Sequence, residues 1–183
     1  MSKHKIHFYE QNGDFGFLSN FYGTTNNKRF KLVIDDVEWP SVEHYFQAQK
    51  FLGGLDISEE TKNYANSIRQ SKTPNIAKIL AQQKIGGGYA WRTNLNPIIQ
   101  QSLDAGVKIR IDWESVKDSI MKKAIVAKFT QNPDLMTKLM STGSDELIEH
   151  TSRDNYWADG GDGSGLNKLG RILMSVRDDF RPF

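Results

Sequence analysis

The chain has 183 residues, of which 38% are apolar and 25% charged, with a formal net charge of only +2 and no cysteine. This composition describes a folding chain long enough to bury a sizeable core, and it excludes disulfides, thiolate metal sites and cysteine nucleophiles. The small net charge makes no general case for binding nucleic acid or anionic membranes. The opening segment MSKHKIHFYEQ lacks an apolar run suited to a signal peptide, and no stretch approaches the roughly 20 apolar residues of a membrane helix. The expectation is a soluble cytoplasmic protein with no membrane partner.

In chain order, Ile6 to Tyr9 alternates as a strand does, and Phe30 to Trp39 reads as a hairpin turning at Asp35 and Asp36. Trp39-Pro40 ends that strand. Ser41 is a good N-cap for a helix from about Val42 to Leu52, which Gly53 and Gly54 stop. Ser58, with Glu59 and Glu60 after it, opens a second helix, and Thr73-Pro74 opens a third. Gly86 to Pro97 is one long irregular stretch, either a loop over a site or a plain insertion. Asn96-Pro97 then caps a short helix, and Asp112 caps a longer one through Phe129, with Val116, Ile120, Ala124 and Ala127 at helical spacing. Asn132-Pro133 starts another helix with Leu135 and Leu139 turned inward. ELIEHT, Glu146 to Thr151, is strand-like. A last helix carries Leu166, Leu169, Leu173, Val176 and Phe180 as its buried stripe. Without repeats or linkers, residues 1–183 read as one α+β domain, mostly helical, with a small antiparallel sheet near the N-terminus.

Three constellations could carry chemistry. On the helix after Ser41, the residues Glu43, Gln47 and Lys50 fall within about 60° of one another, with Phe46 beside them. On spacing alone this is a solvated stripe with helical polar pairs. In FLSNFY, Ser19 and Asn20 stand between aromatics such as Phe21; the segment is either a turn whose rings plug the core or a loop that stacks a ring and bonds its edge. The third runs from Glu149 to Gly170 and holds Glu149, Asp154, Asp159 and Asp162, with Trp157 available for stacking and a cluster of glycines before a helix start. Bare amides there suit a phosphate, although no Gly-Lys-Ser/Thr follows as a P-loop requires, and a flexible connection is the plain alternative. The four histidines show no metal-ligand spacing, Asp159 and Asp162 do not continue as an EF-hand, and Ser41 with His44 gives no triad signature. Neither a metal nor a cofactor is expected.

Taken together, FGFLSNFY, WPSVEHYFQAQKF, WESVKDSIMKKAIVAKFTQNPDL and LIEHTSRDNYWADGGDGSGLNKLGRILMSVR resemble the successive blocks of the YbiA-like, or NADAR, family, in family order and over nearly the whole chain. Ala158 stands where that family usually has glycine after the tryptophan, and the stretch from Gly86 to Arg110 is longer than in its compact bacterial members. The resemblance implies an N-glycosidase that cleaves ribose C1 from an exocyclic nitrogen. One substrate class it implies is the phosphorylated ribosylamino-pyrimidines of riboflavin synthesis. The other is ADP-ribosyl-guanine in nucleic acid or nucleotides, for which Lys28, Arg29, Lys31, Lys108 and Arg110 would have to form a basic rim. A non-catalytic sensor of ADP-ribose or NAD is the alternative from another class. Under the resemblance, Glu43, Lys50 and Asp154 become the catalytic candidates, with Glu43 as acid/base and Lys50 as Schiff-base nucleophile or electrostatic anchor. Asn20, Phe21, Gln47, Trp91, Trp157, Gly161, Gly163 and Asn167 become the candidates for holding sugar, base and phosphate, with Arg153 or Lys168 as charge partners.

Overall fold

The structure is a computed structural model and describes residues 4–53, 57–82 and 96–181. Strand β1 (Lys5–Phe8) pairs with β4 (Glu146–Glu149), and β2 (Val33–Ile34) pairs with β3 (Val37–Glu38). The helices are α1 (Val42–Ala48), α2 (Glu59–Arg69), α3 (Pro74–Ala81), α4 (Pro97–Asp104), α5 (Trp113–Gln131), α6 (Pro133–Ser141) and α7 (Lys168–Asp179). The expected hairpin is β2–β3. Its two turn residues, Asp35 and Asp36, hold φ of 53° and 60°, the left-handed pair that a two-residue hairpin with the native strand twist demands. Lys123 of α5 then pins the turn through Asp35 at 2.7 Å. The β1–β4 pair departs from the antiparallel expectation. It is parallel, in register from Lys5 opposite Glu146 to Phe8 opposite Glu149. Parallel neighbours need a long crossover, and here nearly the whole chain intervenes, so local alternation carries no sign of the partner.

Helix α1 lies at the centre, and all seven of its residues are buried. It packs against α2, α3 and α5. Ser41 caps it as expected, with Oγ accepting from the His44 amide and also lying 2.8 Å from His44 Nδ1. The regular helix ends at Ala48 rather than Leu52. Its last turn tightens into shorter bonds, Lys50 N to Gln47 O at 3.3 Å and Phe51 N to Ala48 O at 3.0 Å. Ser58, Thr73 and Asn96 cap α2, α3 and α4 through their side chains. Asp112 does not cap α5 in that way, because Arg110 holds both of its carboxylate oxygens, at 2.6 and 2.8 Å.

The inward face of α5 also differs from its expected stripe. Met121, Ala124, Ile125, Lys128 and Phe129 are buried, whereas Val116, Ile120 and Ala127 are only half-buried. A lysine inside the buried stripe disguises the true face, since lysine reads as solvent-facing. On α7, Leu169, Leu173 and Val176 are fully buried, but Leu166 and Phe180 flank the helix and are 46% and 44% exposed.

Helix α7 and β4 approach unusually closely, and this junction sets the direction in which the chain leaves β4. Asn167, in the left-handed region at φ 47°, accepts from Glu149 N and donates to Leu147 O, so its amide bonds β4 as a neighbouring strand would. One turn on, a Cβ at Gly170 would fall 2.1 Å from Leu147 O. Gly170→Ala is therefore expected to destabilise the fold by about 1–3 kcal/mol, the usual range for overpacking. Urea unfolding checks this, and an unchanged midpoint would show that the junction has slack.

Candidate active site

A cavity of about 370 Å3 opens between α1, the Ser19–Phe21 turn, α3, the start of α5 and the chain leaving β4. Its aromatic wall is continuous. Phe46 meets Trp113 at 4.9 Å and Trp157 at 5.2 Å between ring centroids. Into this wall α1 sends the stripe Glu43, Gln47 and Lys50. It is not the solvated face its spacing suggests, since Glu43 and Gln47 are only 5% and 6% exposed. Gln47 Nε2 donates to Glu43 Oε1 at 2.8 Å. Lys50, placed by the tightened end of α1, sits 5.8 Å from the Trp113 ring centroid and donates to Ala81 O at 3.4 Å.

Besides the exposed Glu10, two further carboxylates line the same cavity. Asp154 Oδ1 accepts from the amides of Tyr156 and Trp157, both at 2.8 Å, so one oxygen builds the loop that carries Trp157. Glu149, at the end of β4, stands among the acids of the third constellation in the sequence but not among the catalytic candidates drawn from it. The available signal was an acid directly after the two buried strand residues Leu147 and Ile148. Lys78 of α3 was missed as well, because an isolated helical lysine gives no signal.

The electrostatics follow from burial. Burial pushes the Glu149 carboxyl up to about 8, with the charges of Asp154 and Glu43 adding to the effect. Burial also raises Glu43, against the pull of Lys78, the Gln47 hydrogen bond and Lys50. It lowers the Lys50 amine to about 8, with Glu43 opposing and Lys78 assisting. The same cavity therefore holds a carboxylic acid raised to about 8 and an amine lowered to about 8. Among the described residues, three buried acceptors that line the cavity have no partner: Gln11 Oε1, Asn20 Oδ1 and Gln47 Oε1.

The structure thus brings Asn20, Phe21, Glu43, Gln47, Lys50, Asp154 and Trp157 to one cavity, with Arg153 at its wall. It does not bring Gly161, Gly163 and Asn167 there. These line a separate cavity with His150 and Asp159. Nor are the glycine amides bare. Gly161 N donates to Asp159 Oδ1, Gly163 N and Gly165 N donate to Asp159 O, and Gly160 N donates to Asp154 O. A loop whose amides are spent on its own aspartates has none left for a phosphate. Asn167 holds β4 to α7, and Lys168 pairs with Asp118 at 2.8 Å. Trp91 lies outside the described residues. Among those described, no cluster of His, Asp and Glu is arranged to hold a metal.

A carboxyl whose folded-state pKa lies above its unfolded value adds stability at low pH and loses it as pH rises through the folded value. For Glu149 that window runs from about 4.5 to about 8. Glu149→Gln should match the parent Tm at the acid end and exceed it at the alkaline end, with about 2–4 °C for each kcal/mol of relieved charge burial. Thermal melts at the two ends of the window test this, and an equal Tm at both would contradict it.

A family model described as the NADAR domain matches residues 7–181. The chain is 35% identical over 173 residues to the N-glycosidase YbiA of Escherichia coli (strain K12), covering 94% of this chain and 86% of that protein. It is 33% identical over 176 residues to an N-glycosidase of Nostoc punctiforme, covering 96% and 92% of the two chains. It is also 32% identical over 176 residues to a riboflavin biosynthesis protein of Vibrio vulnificus, covering 96% of this chain and 38% of that one. The NMR structure of the E. coli protein YbiA has 35% sequence identity to this chain and aligns with a TM-score of 0.69 over 98% of this chain and 86% of its own. With the cavity built from the blocks of that family, the chain belongs to the NADAR domain family.

Proposed function

We propose that this protein is an N-glycosidase that cleaves the bond between ribose C1 and an exocyclic amine, acting on phosphorylated ribosylamino-pyrimidines of riboflavin synthesis. The observation that carries the reading is the meeting of Glu43, Glu149, Asp154 and Lys50 in one aromatic-walled cavity. The names of the N-glycosidase and riboflavin relatives support it.

The chemistry needs a proton for the leaving nitrogen and negative charge near C1 as positive charge develops there. Glu149 and Glu43, both raised by burial, hold the proton, and Asp154 stabilises C1. Lys50 acts as the nucleophile. The glycosylamine opens to an imine, its ring oxygen becoming a hydroxyl. Lys50 Nζ then adds to C1, and the aminopyrimidine leaves with a proton from the carboxyl pair. Water hydrolyses the resulting lysyl imine to ribose 5-phosphate and the free amine. An amine lowered to about 8 supplies a reactive neutral fraction near neutral pH. With the glycine loop spent on its own contacts and Lys117 paired with Glu114, the cavity cations Lys78 and Arg153 are placed to meet the phosphate.

The ADP-ribosyl-guanine reading gains no specific support from the cavity. None of Lys28, Arg29, Lys31, Lys108 and Arg110 lines it, and Arg110 is committed to Asp112 and Leu52 O.

The test is parallel incubation with a ribosylamino-pyrimidine 5′-phosphate and with ADP-ribosyl-guanosine, following products by mass. Release of ribose 5-phosphate from the first is expected. Release of ADP-ribose alone would transfer the reaction to the second substrate, and tight binding without product would make the protein a sensor. Lys50→Ala is expected to lose at least about 100-fold in kcat while remaining folded. Borohydride should trap the sugar on Lys50 in the parent protein. A variant with near-normal rate would leave Lys50 only an electrostatic part.

A further inference from the structure

Lys128 has no exposed surface. It lies on the inward face of α5, and the described residues supply no counter-ion. Its Nζ donates to Ser19 O at 2.8 Å, with the Tyr22 and Phe129 ring centroids 5.6 and 5.4 Å away. Burial alone pulls its amine down to about 7. Such a group opposes folding, because its charge leaves water without an ionic partner. It does not line the cavity of Glu43 and Lys50, so the glycosidase chemistry does not use it directly.

What Lys128 touches is the backbone of the turn that enters that cavity. Two consecutive carbonyls of the turn are held from two helices. Ser19 O accepts from Lys128 of α5, and Asn20 O accepts from Glu43 N of α1 at 3.0 Å. Within the turn, Phe21 N donates to Ser19 Oγ and Tyr22 N to Ser19 O, both at 3.2 Å. The Asn20 amide is oriented by its Nδ2, which meets Met121 Sδ at 3.4 Å, leaving the buried Oδ1 without a partner among the described residues. Gln47 Oε1, likewise unpartnered, belongs to the same cavity lining. Gln11 Oε1 is a third such acceptor of the lining, and buried acceptors without donors lose free energy until a ligand supplies hydroxyl or amine hydrogens.

We propose that Lys128 is a positioning residue, whose ammonium clamps the Ser19 carbonyl so that Asn20 Oδ1 and Gln47 Oε1 together receive the hydroxyl donors of a bound sugar. The identity of that sugar as the ribose of a glycosylamine rests on the proposed N-glycosidase reading; the clamp does not. Its role is separable from folding because a buried lysine lacking a counter-ion weakens the fold it sits in. Removing the charge should leave stability equal or higher while harming binding, which a purely structural residue would not do.

The experiment is a double-mutant cycle of Lys128→Met and Asn20→Ala, with steady-state kinetics on the ribosylamino-pyrimidine 5′-phosphate, thermal melts, and the Asn20 side-chain amide followed in nitrogen-15 correlation spectra. Lys128→Met is expected to raise KM by about tenfold and to change kcat by less than about twofold. It should not lower Tm, and it should add no further penalty in the Asn20→Ala background. An unchanged KM, or penalties that add in full, would overturn the proposal. The Asn20 amide resonances need no substrate. They are expected to shift or broaden in Lys128→Met, and if they stay in place the clamp is refuted even where the parent protein proves inactive on this substrate. If Lys128→Met does not fold, Lys128→Leu, likewise without a donor, enters the same cycle with the same expectations.

Discussion

The site depends on a charged stripe carried by a helix with no solvent face. In α1 the Gln47–Glu43 hydrogen bond, 2.8 Å long, replaces the water that both groups would otherwise keep. It is an ordinary bond between positions four apart, yet α2, α3 and α5 pack around the helix that makes it. Everything else in the cavity answers to that burial. The aromatic row of Trp113, Phe46 and Trp157 closes the wall, and the tightened last turn of α1 turns Lys50 toward Trp113 rather than outward.

Low dielectric then sets the protonation states. Three carboxylates cannot all ionise in a cavity of this size without strong mutual repulsion, so at least one keeps its proton. Glu149 has less help: Asp154, Glu43 and Asp159 act against its charge with Lys78 pulling back, whereas Glu43 is pulled down by Lys78, Gln47 and Lys50 against Asp154. Asp154 spends one oxygen on two backbone amides and so sits in a more polar setting. Burial thus makes Glu149 the proton holder of the cavity and lowers the Lys50 amine in the same cavity to about 8. The same device recurs away from the cavity at Lys128, where a buried amine orders a turn instead of meeting a substrate.

Much of the fold was legible because its signals are local. Ser41, Ser58, Thr73 and Asn96 cap where side-chain chemistry says they should, and Asp35-Asp36 turns the hairpin by a backbone conformation that few residue pairs accept. What escaped was non-local. The partner of β1 lies at the far end of the chain, the carboxylate of Asp112 was taken by Arg110, and the inward face of α5 hides a lysine. The site divides in the same way. Periodicity aligned Glu43, Gln47 and Lys50 but pointed to solvent, and only the resemblance of the combined blocks to a family turned the stripe inward. The glycine loop misled because composition shows amides without showing who uses them; Asp159 and Asp154 do. Glu149 escaped because a strand-end acid looks alike whether it faces water or a cavity.

The central claim is that the cavity stores a proton on Glu149 at neutral pH while it also holds the lowered amine of Lys50. Titration of the side-chain carboxyl carbons in protein labelled at glutamate, followed by NMR and assigned with Glu149→Gln, measures this directly. The account predicts a Glu149 midpoint near 8, far above that of the exposed glutamates. A midpoint in the ordinary carboxylate range, near 4.5, would contradict it.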